Sequence, residues 1–187
     1  MTYLSSNQLK QYEDEGFVSP IDIFSKDKAK EIRNEIELIE KEMPDELEKS
    51  GRYNAHLISP LLDEVTHNSE ILDAVQSLIG KDILVCGTTL FIKNPNVKGF
   101  VSYHQDAKYI GLEPHNWVTA WVAITDSNEH NGCMRVWSGS HKDNLKDHDQ
   151  NFNERNLLTR GQTINNVPKE KTTPLILKAG QMSLHHP

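Results

Sequence analysis

The chain has 187 residues, with 20 Lys and Arg against 27 Asp and Glu, a formal net charge of −7, and 36% apolar residues. A chain of this size buries roughly 70% of the surface it exposes when unfolded, so one folding unit is expected despite a mean hydropathy of −0.60. The acidic balance disfavours nucleic acid and anionic membrane as partners, and no apolar run approaches the roughly 20 residues that span a bilayer.

The first ten residues carry neither a basic stretch nor an apolar core of the secretory type, which makes a cytoplasmic location the expectation. Residues 6 to 16 predict a short helix stopped at Gly16, followed by an extended piece around Pro20. Ala29, Ile32, Ile36 and Ile39 recur at helical spacing and predict a second helix running to Glu42. Residues 44 to 60 contain Pro44, Gly51 and Pro60 and predict a loop, with Arg52 to Leu57 as a possible extended stretch. From Leu61 to Ile79 the apolar spacing predicts a helix ending at Gly80.

After Gly80 the pattern changes. Residues 83–86, 88–92, 117–124 and 133–137 are β-branched or aromatic runs bounded by turn residues and predict strands. Asn131-Gly132 signals a hairpin of type I′, and residues 174–177 with 181–184 resemble another hairpin joined by Lys178-Ala-Gly180. Residues 142 to 154 are polar and predict a long loop of the kind that often forms a lid. Cys86 and Cys133 are too few and too far apart for a disulfide framework or a zinc site, and are expected to be buried thiols. Arg135 is expected to face solvent, and Lys93 and Lys108 are expected to be surface charges. Helices first and short strands afterwards, without βαβ alternation, predict an α+β domain, mainly β, with a sandwich or barrel at its centre.

The chemistry concentrates in Tyr103-His104-Gln105-Asp106. On an extended segment His104 and Asp106 share a face, so imidazole and carboxylate can offer two adjacent positions to one metal ion. A 2-His-1-carboxylate site needs one more histidine from elsewhere and leaves coordination positions open. By spacing alone the triplet also fits an ordinary hydrogen-bonded His–Asp pair.

The run Tyr103-His-Gln-Asp-Ala-Lys-Tyr109, then Trp117-Val-Thr-Ala-Trp-Val-Ala-Ile124, then Asn131-Gly-Cys-Met-Arg-Val136 with Ser138-Gly-Ser-His141, resembles the core of the phytanoyl-CoA dioxygenase family. That family also includes ectoine hydroxylases and carrier-protein-dependent halogenases. Residues 156–162, residues 178–186 and the start Gln11-Tyr-Glu-Asp-Glu-Gly-Phe17 extend the resemblance along nearly the whole chain.

The resemblance implies a double-stranded β-helix, or cupin-like jelly roll, within a single dioxygenase domain. A helical portion of about residues 1–80 would precede a jelly-roll portion of about residues 81–187. It implies Fe(II), 2-oxoglutarate and O2, with decarboxylation to succinate and CO2 coupled to hydroxylation of an aliphatic C–H on a small organic substrate. His104 and Asp106 would be iron ligands, and the carboxylate at 106 argues against the halogenases, which leave that position free for chloride. Trp121 and Leu90 match positions that line the cosubstrate pocket, and His56 matches a basic residue near it. All three also have bland readings, the first two as core and His56 as a loop histidine. Gln105, which either touches substrate or braces a loop, and Tyr109, at the substrate mouth, are further candidates.

The same resemblance places the third iron ligand in a Leu-His-Gly/Ala-Ser segment after Pro187, with an Arg clamping the cosubstrate about a strand later. His185 and His186 do not align with that histidine. The chain is therefore expected to be the front two-thirds of a larger, C-terminally truncated domain. Alternatives are an inactive fragment, a non-enzymatic jelly-roll binding module with His104 and Asp106 as a plain polar pair, and a cupin-type enzyme with another metal and no keto acid.

Overall fold

A computed structural model describes residues 3–45, 52–95, 98–150, 152–158 and 160–187; residues 46–51 of the predicted loop thus lie outside the described residues. Helix α1 (Ser6–Glu15) begins at a capping box in which the Ser5 hydroxyl accepts from the Gln8 backbone N–H and Gln8 reaches back to Ser5. It ends at Gly16, whose φ of +81° is open to glycine at little cost. Strand β1 (Phe17–Asp22) follows. Helix α2 (Lys26–Glu42) is capped by Ser25 and buries Ala29, Ile32 and Ile39, the face its spacing marked.

The single helix expected over 61–79 is two, α3 (Pro60–Thr66) and α4 (Ser69–Ile79). The break is local: the Asn68 side chain accepts from the backbone N–H groups of both Glu70 and Ile71, a cap that starts α4 and excludes continuation from α3.

Strand β7 (Gln181–His185) is the organising element of the second half. It lies between β1 and β2 (Thr119–Val122), antiparallel to both. Its alternation divides the molecule. Met182 and Leu184, both 0% exposed, pack with Val18, Ile21, Ile71 and Ala74, while Ala120 and Val122 of β2 close on the same cluster. A second cluster, Ile32, Ile39, Ala55 and Leu62, joins α2 to α3. Ser183 and His185 lie on the other face of β7, in register with Trp121 and Thr119 of β2.

Two smaller pairs complete the structure: β3 (Arg135–Trp137) with β6 (Thr172–Pro174), and β4 (Asp149–Gln150) with β5 (Gln162–Thr163). Among the described residues these sheets do not close into a barrel. The architecture mixes helices with small sheets, so the α+β expectation holds in its coarse form. No helix among the described residues is long and apolar enough to cross a membrane.

Several local expectations are corrected. Residues 83–86 and 88–92 form no strands; an isolated bridge, Tyr53 to Thr89, flanked by the Asn54 N–H to Thr88 carbonyl and Leu90 N–H to Arg52 carbonyl bonds, ties residues 88–90 to the neighbouring segment. Arg52 to Leu57 is not extended but turns into a short 3-10 helix over Ala55–Leu57. The second hairpin is absent because β6 pairs with β3 while β7 enters the other sheet. Asn131-Gly132 is a turn, with the Asn131 and Cys133 N–H groups both donating to Asn128 O, but the strands flanking it pair elsewhere. Only Gly132 of the pair has positive φ, which a type I′ turn would require of both. The polar stretch 142–154 is not all loop, since β4 falls within it. Cys86 is exposed and Cys133 half-buried, both free. Arg135 does not simply face solvent: its guanidinium donates to Thr172 and pairs with Glu129 at 2.6 Å.

Candidate metal centre

His104 and Asp106 converge, but not by strand alternation. Residues 101–105 form no strand, and Asp106 sits in helical conformation (φ −60°, ψ −34°) at the start of the short helix α5 (Ala107–Ile110). The turn into α5 brings the two side chains together, His104 Nε2 to Asp106 Oδ1 at 3.1 Å. The preceding segment is tethered through Ile164 N–H to Tyr103 O and through the Ser102 hydroxyl to Gln162 O, which anchors it to β5.

Each partner is held from behind. His104 Nδ1 donates to the Ser102 carbonyl at 2.8 Å, and because a carbonyl only accepts, the proton is on Nδ1. Thr119 Oγ1 donates to Asp106 Oδ2 at 3.0 Å, leaving Oδ1 towards His104. Burial pushes the His104 pKa down, but the bond and charge of Asp106 and the Ser102 carbonyl carry it above the ordinary value. For Asp106 burial pushes upward, and the bond and charge of His104, the His185 ring and the Thr119 hydroxyl bring it below the usual carboxylate range.

His185, across β7 from Thr119, places Nε2 3.9 Å from Asp106 Oδ2. Its side chain is 14% exposed, its Nδ1 is buried without a hydrogen-bond partner, and burial drives its pKa down, towards the neutral imidazole. Sequence reasoning set this residue aside because it does not align with the family's third histidine; only the register of β7 against β2 brings it here. Thr119 was likewise missed, although it lies two residues from Trp121 on one strand face and alternation could have flagged it.

The donor set suits a divalent metal. With its proton on Nδ1, His104 turns the lone pair of Nε2 on a carboxylate oxygen at hydrogen-bond distance, and two electron-rich atoms face each other stably only with a cation between them, either a second proton or a metal ion. Among the described residues, no group of three or more His, Cys, Asp or Glu side chains is gathered closely enough to hold a metal by itself. His104 and Asp106 supply two positions, and His185 stands just outside them.

The remaining candidates divide. Trp121 shares the face of β2 that carries Thr119 and lies opposite Ser183, so it borders the site, away from the face that Ala120 and Val122 turn to the core. Gln105 braces a loop: its N–H donates to His148 Nε2 and its Oε1 accepts from the Lys146 N–H. Tyr109 lies with its ring 6.4 Å from that of His104 and its hydroxyl buried without a partner. Leu90 packs against the α2–α3 cluster. His56 Nδ1 bonds Thr88 Oγ1 at 2.8 Å and has no contact with His104 or Asp106.

Three comparisons bear on this geometry. The sequence model described as phytanoyl-CoA dioxygenase (PhyH) matches residues 12–187. A phytanoyl-CoA dioxygenase domain-containing protein 1 homolog of Caenorhabditis briggsae is 32% identical over 98 residues, which are 52% of this chain and 34% of that protein. Among solved structures, the non-heme monooxygenase ThoJ superposes with a TM-score of 0.82 at 31% identity, covering 96% of this chain and 67% of that one. CytC3 with Fe(II) and alpha-ketoglutarate superposes at 0.66 with 22% identity, covering 99% and 69%, a likeness of fold. The match to the curated relative spans about a third of its length.

Proposed function

Because the chain belongs to the phytanoyl-CoA dioxygenase family, we propose that it contributes to an Fe(II)- and 2-oxoglutarate-dependent oxygenase site that hydroxylates an aliphatic C–H of a small organic substrate. The observation that carries this reading is the lone-pair contact between His104 Nε2 and Asp106 Oδ1, with the opposite nitrogen of His104 committed to a backbone carbonyl. Metal-binding histidines are oriented in this way, since the bond at one nitrogen fixes the tautomer that frees the other. The named relatives and structural neighbours, among them a non-heme monooxygenase, support the same chemistry.

His104 and Asp106 would hold the metal, which with 2-oxoglutarate and O2 bound supplies the oxidising power for hydroxylation. The residues of the chain have their own tasks. Ser102 O keeps the proton of His104 on Nδ1, and Thr119 holds one carboxylate oxygen so that the other stays directed at the site. Trp121 and the non-core face of β7 wall the site on the sheet side, Leu90 and His56 are proposed nearer the cosubstrate, and Gln105 fixes the loop from Lys146 to His148. A carboxylate at 106 occupies the position a halide would need, which favours hydroxylation over halogenation.

The competing reading, a metal-free binding module, draws on the same contact, because a protonated His104 would satisfy Asp106 as an ion pair. The test is Fe(II)-dependent succinate formation from 2-oxoglutarate together with Mn(II) binding read by electron paramagnetic resonance. Binding that disappears in His104→Ala supports the oxygenase; a wild-type protein that takes up no metal establishes the ion pair instead.

A further inference from the structure

Beside the proposed metal position lies a second group of side chains whose donors are unused. The Tyr109 ring centroid is 6.4 Å from that of His104, and the guanidinium carbon of Arg160 stands 5.9 Å from the Tyr109 centroid. Arg160 is exposed and has no ion pair or hydrogen bond among the described residues, although the chain is acidic overall. Tyr109 Oη is buried with no partner, and the phenol feels the charges of both Arg160 and Asp106. His148 closes the edge of the ring at 6.1 Å, but both its nitrogens are taken, Nδ1 donating to Lys146 O and Nε2 accepting from Gln105 N–H. Lys108, next in sequence to Tyr109, also lacks an anionic partner among the described residues. Exposed Arg160 thus stands against the partly buried Tyr109, whose ring is in turn 6.4 Å from that of His104.

A buried hydroxyl without a partner is costly in a finished protein, so its persistence here suits a group that is completed by a ligand. A guanidinium held over an aromatic ring at cation–π distance keeps its N–H edge free, and that edge matches a carboxylate in two parallel bonds. We propose that Arg160 and Tyr109 form a carboxylate-binding position at the entrance to the His104–Asp106 site. Either the primary substrate or 2-oxoglutarate presents the carboxylate, and the position orients that molecule towards the metal. The orienting role rests on the functional reading above; the binding position itself does not.

Isothermal calorimetry on the Mn(II)-loaded protein, with 2-oxoglutarate and with octanoate as an aliphatic monocarboxylate probe, tests it. Arg160→Gln weakens at least one of the two by about tenfold or more, Tyr109→Phe by about threefold, and Arg160→Lys falls between Arg160→Gln and wild type, as expected from losing a charge-assisted fork, a single donor and the fork alone. Arg155→Gln, a neighbouring exposed cation, leaves both unchanged. A loss confined to 2-oxoglutarate assigns the position to the cosubstrate, and one confined to octanoate assigns it to the substrate. Unchanged affinities in Arg160→Gln, or no binding of either probe to wild type, overturn the proposal. Mn(II) resonance is recorded in parallel: a protein that takes up no Mn(II) yet binds carboxylate through Arg160 loses the oxygenase reading and keeps the anion position.

Discussion

At the scale of the residue, the pair His104–Asp106 can be interrogated without turnover. Asp106→Asn keeps the shape and the Thr119 contact but removes the charge, and it should weaken Mn(II) binding by more than about tenfold, checked by metal titration. Protons compete with metal for the same atoms, which sets a pH dependence. In metal-free protein the His104 contribution to stability is complete below its ordinary pKa of 6.5 and is lost as pH rises through its raised folded value. That of Asp106 is complete above 3.8 and is lost as pH falls through its lowered folded value. The stability gap between wild type and His104→Gln, measured by urea unfolding in chelator, should therefore be widest from pH 3.8 to 6.5 and shrink above it. Mn(II) affinity should rise over the same upper range as the proton leaves.

At the scale of the element, β7 joins core to site, and both its entry and its apolar face are sensitive. Gly180 enters the strand at φ +92°, its carbonyl accepts from the N–H groups of Ile23 and Phe24, and a Cβ there would overlap the Phe24 carbonyl oxygen. Gly180→Ala should cost about 3 kcal/mol or more, from left-handed strain and backbone overlap together, and should also weaken metal binding by displacing His185 and Thr119. Leu184→Ala, at a fully buried position, should cost about 2–5 kcal/mol by urea unfolding while leaving the polar face of the strand chemically intact. The helices show which signals are local. The caps at Ser5, Ser25 and Gly16 could be read from neighbouring residues; the cap at Asn68 is just as local, but the apolar spacing that runs through the break masks it.

At the scale of the whole molecule, the segment from Ile83 to Phe91 has strand composition without a strand's partners. Leu84 is 97% exposed, Val85 47% and Phe91 46%. Among the described residues, only 88–90 of the segment find backbone partners, at 52–54, and strand-like chain with exposed apolar side chains is a template for association. Light scattering should find a mass that rises with concentration, and Leu84→Lys combined with Phe91→Lys should return it towards the monomer with stability changed by no more than about 0.5 kcal/mol per site.

What the sequence determined by itself was whatever depends on near neighbours or on a dense motif: α1 and α2 with their caps, the strand character of 119–122 and 135–137, the family, and His104 with Asp106 as the pair on which the proposed chemistry rests. Tertiary structure decided which strands found partners and which residues stand behind the pair. Residues 83–92 have the apolar pattern of strands but, among the described residues, pair only through a single bridge, Tyr53 to Thr89, and pattern records burial preference without naming a partner. Ser102, Thr119, His185 and Arg160 reach the site through a backbone carbonyl, a strand register and a cation–ring contact. Ser102 is only two residues from His104, but Thr119 and His185 meet Asp106 from 13 and 79 positions away, and Arg160 meets Tyr109 from 51, distances that leave no local signal.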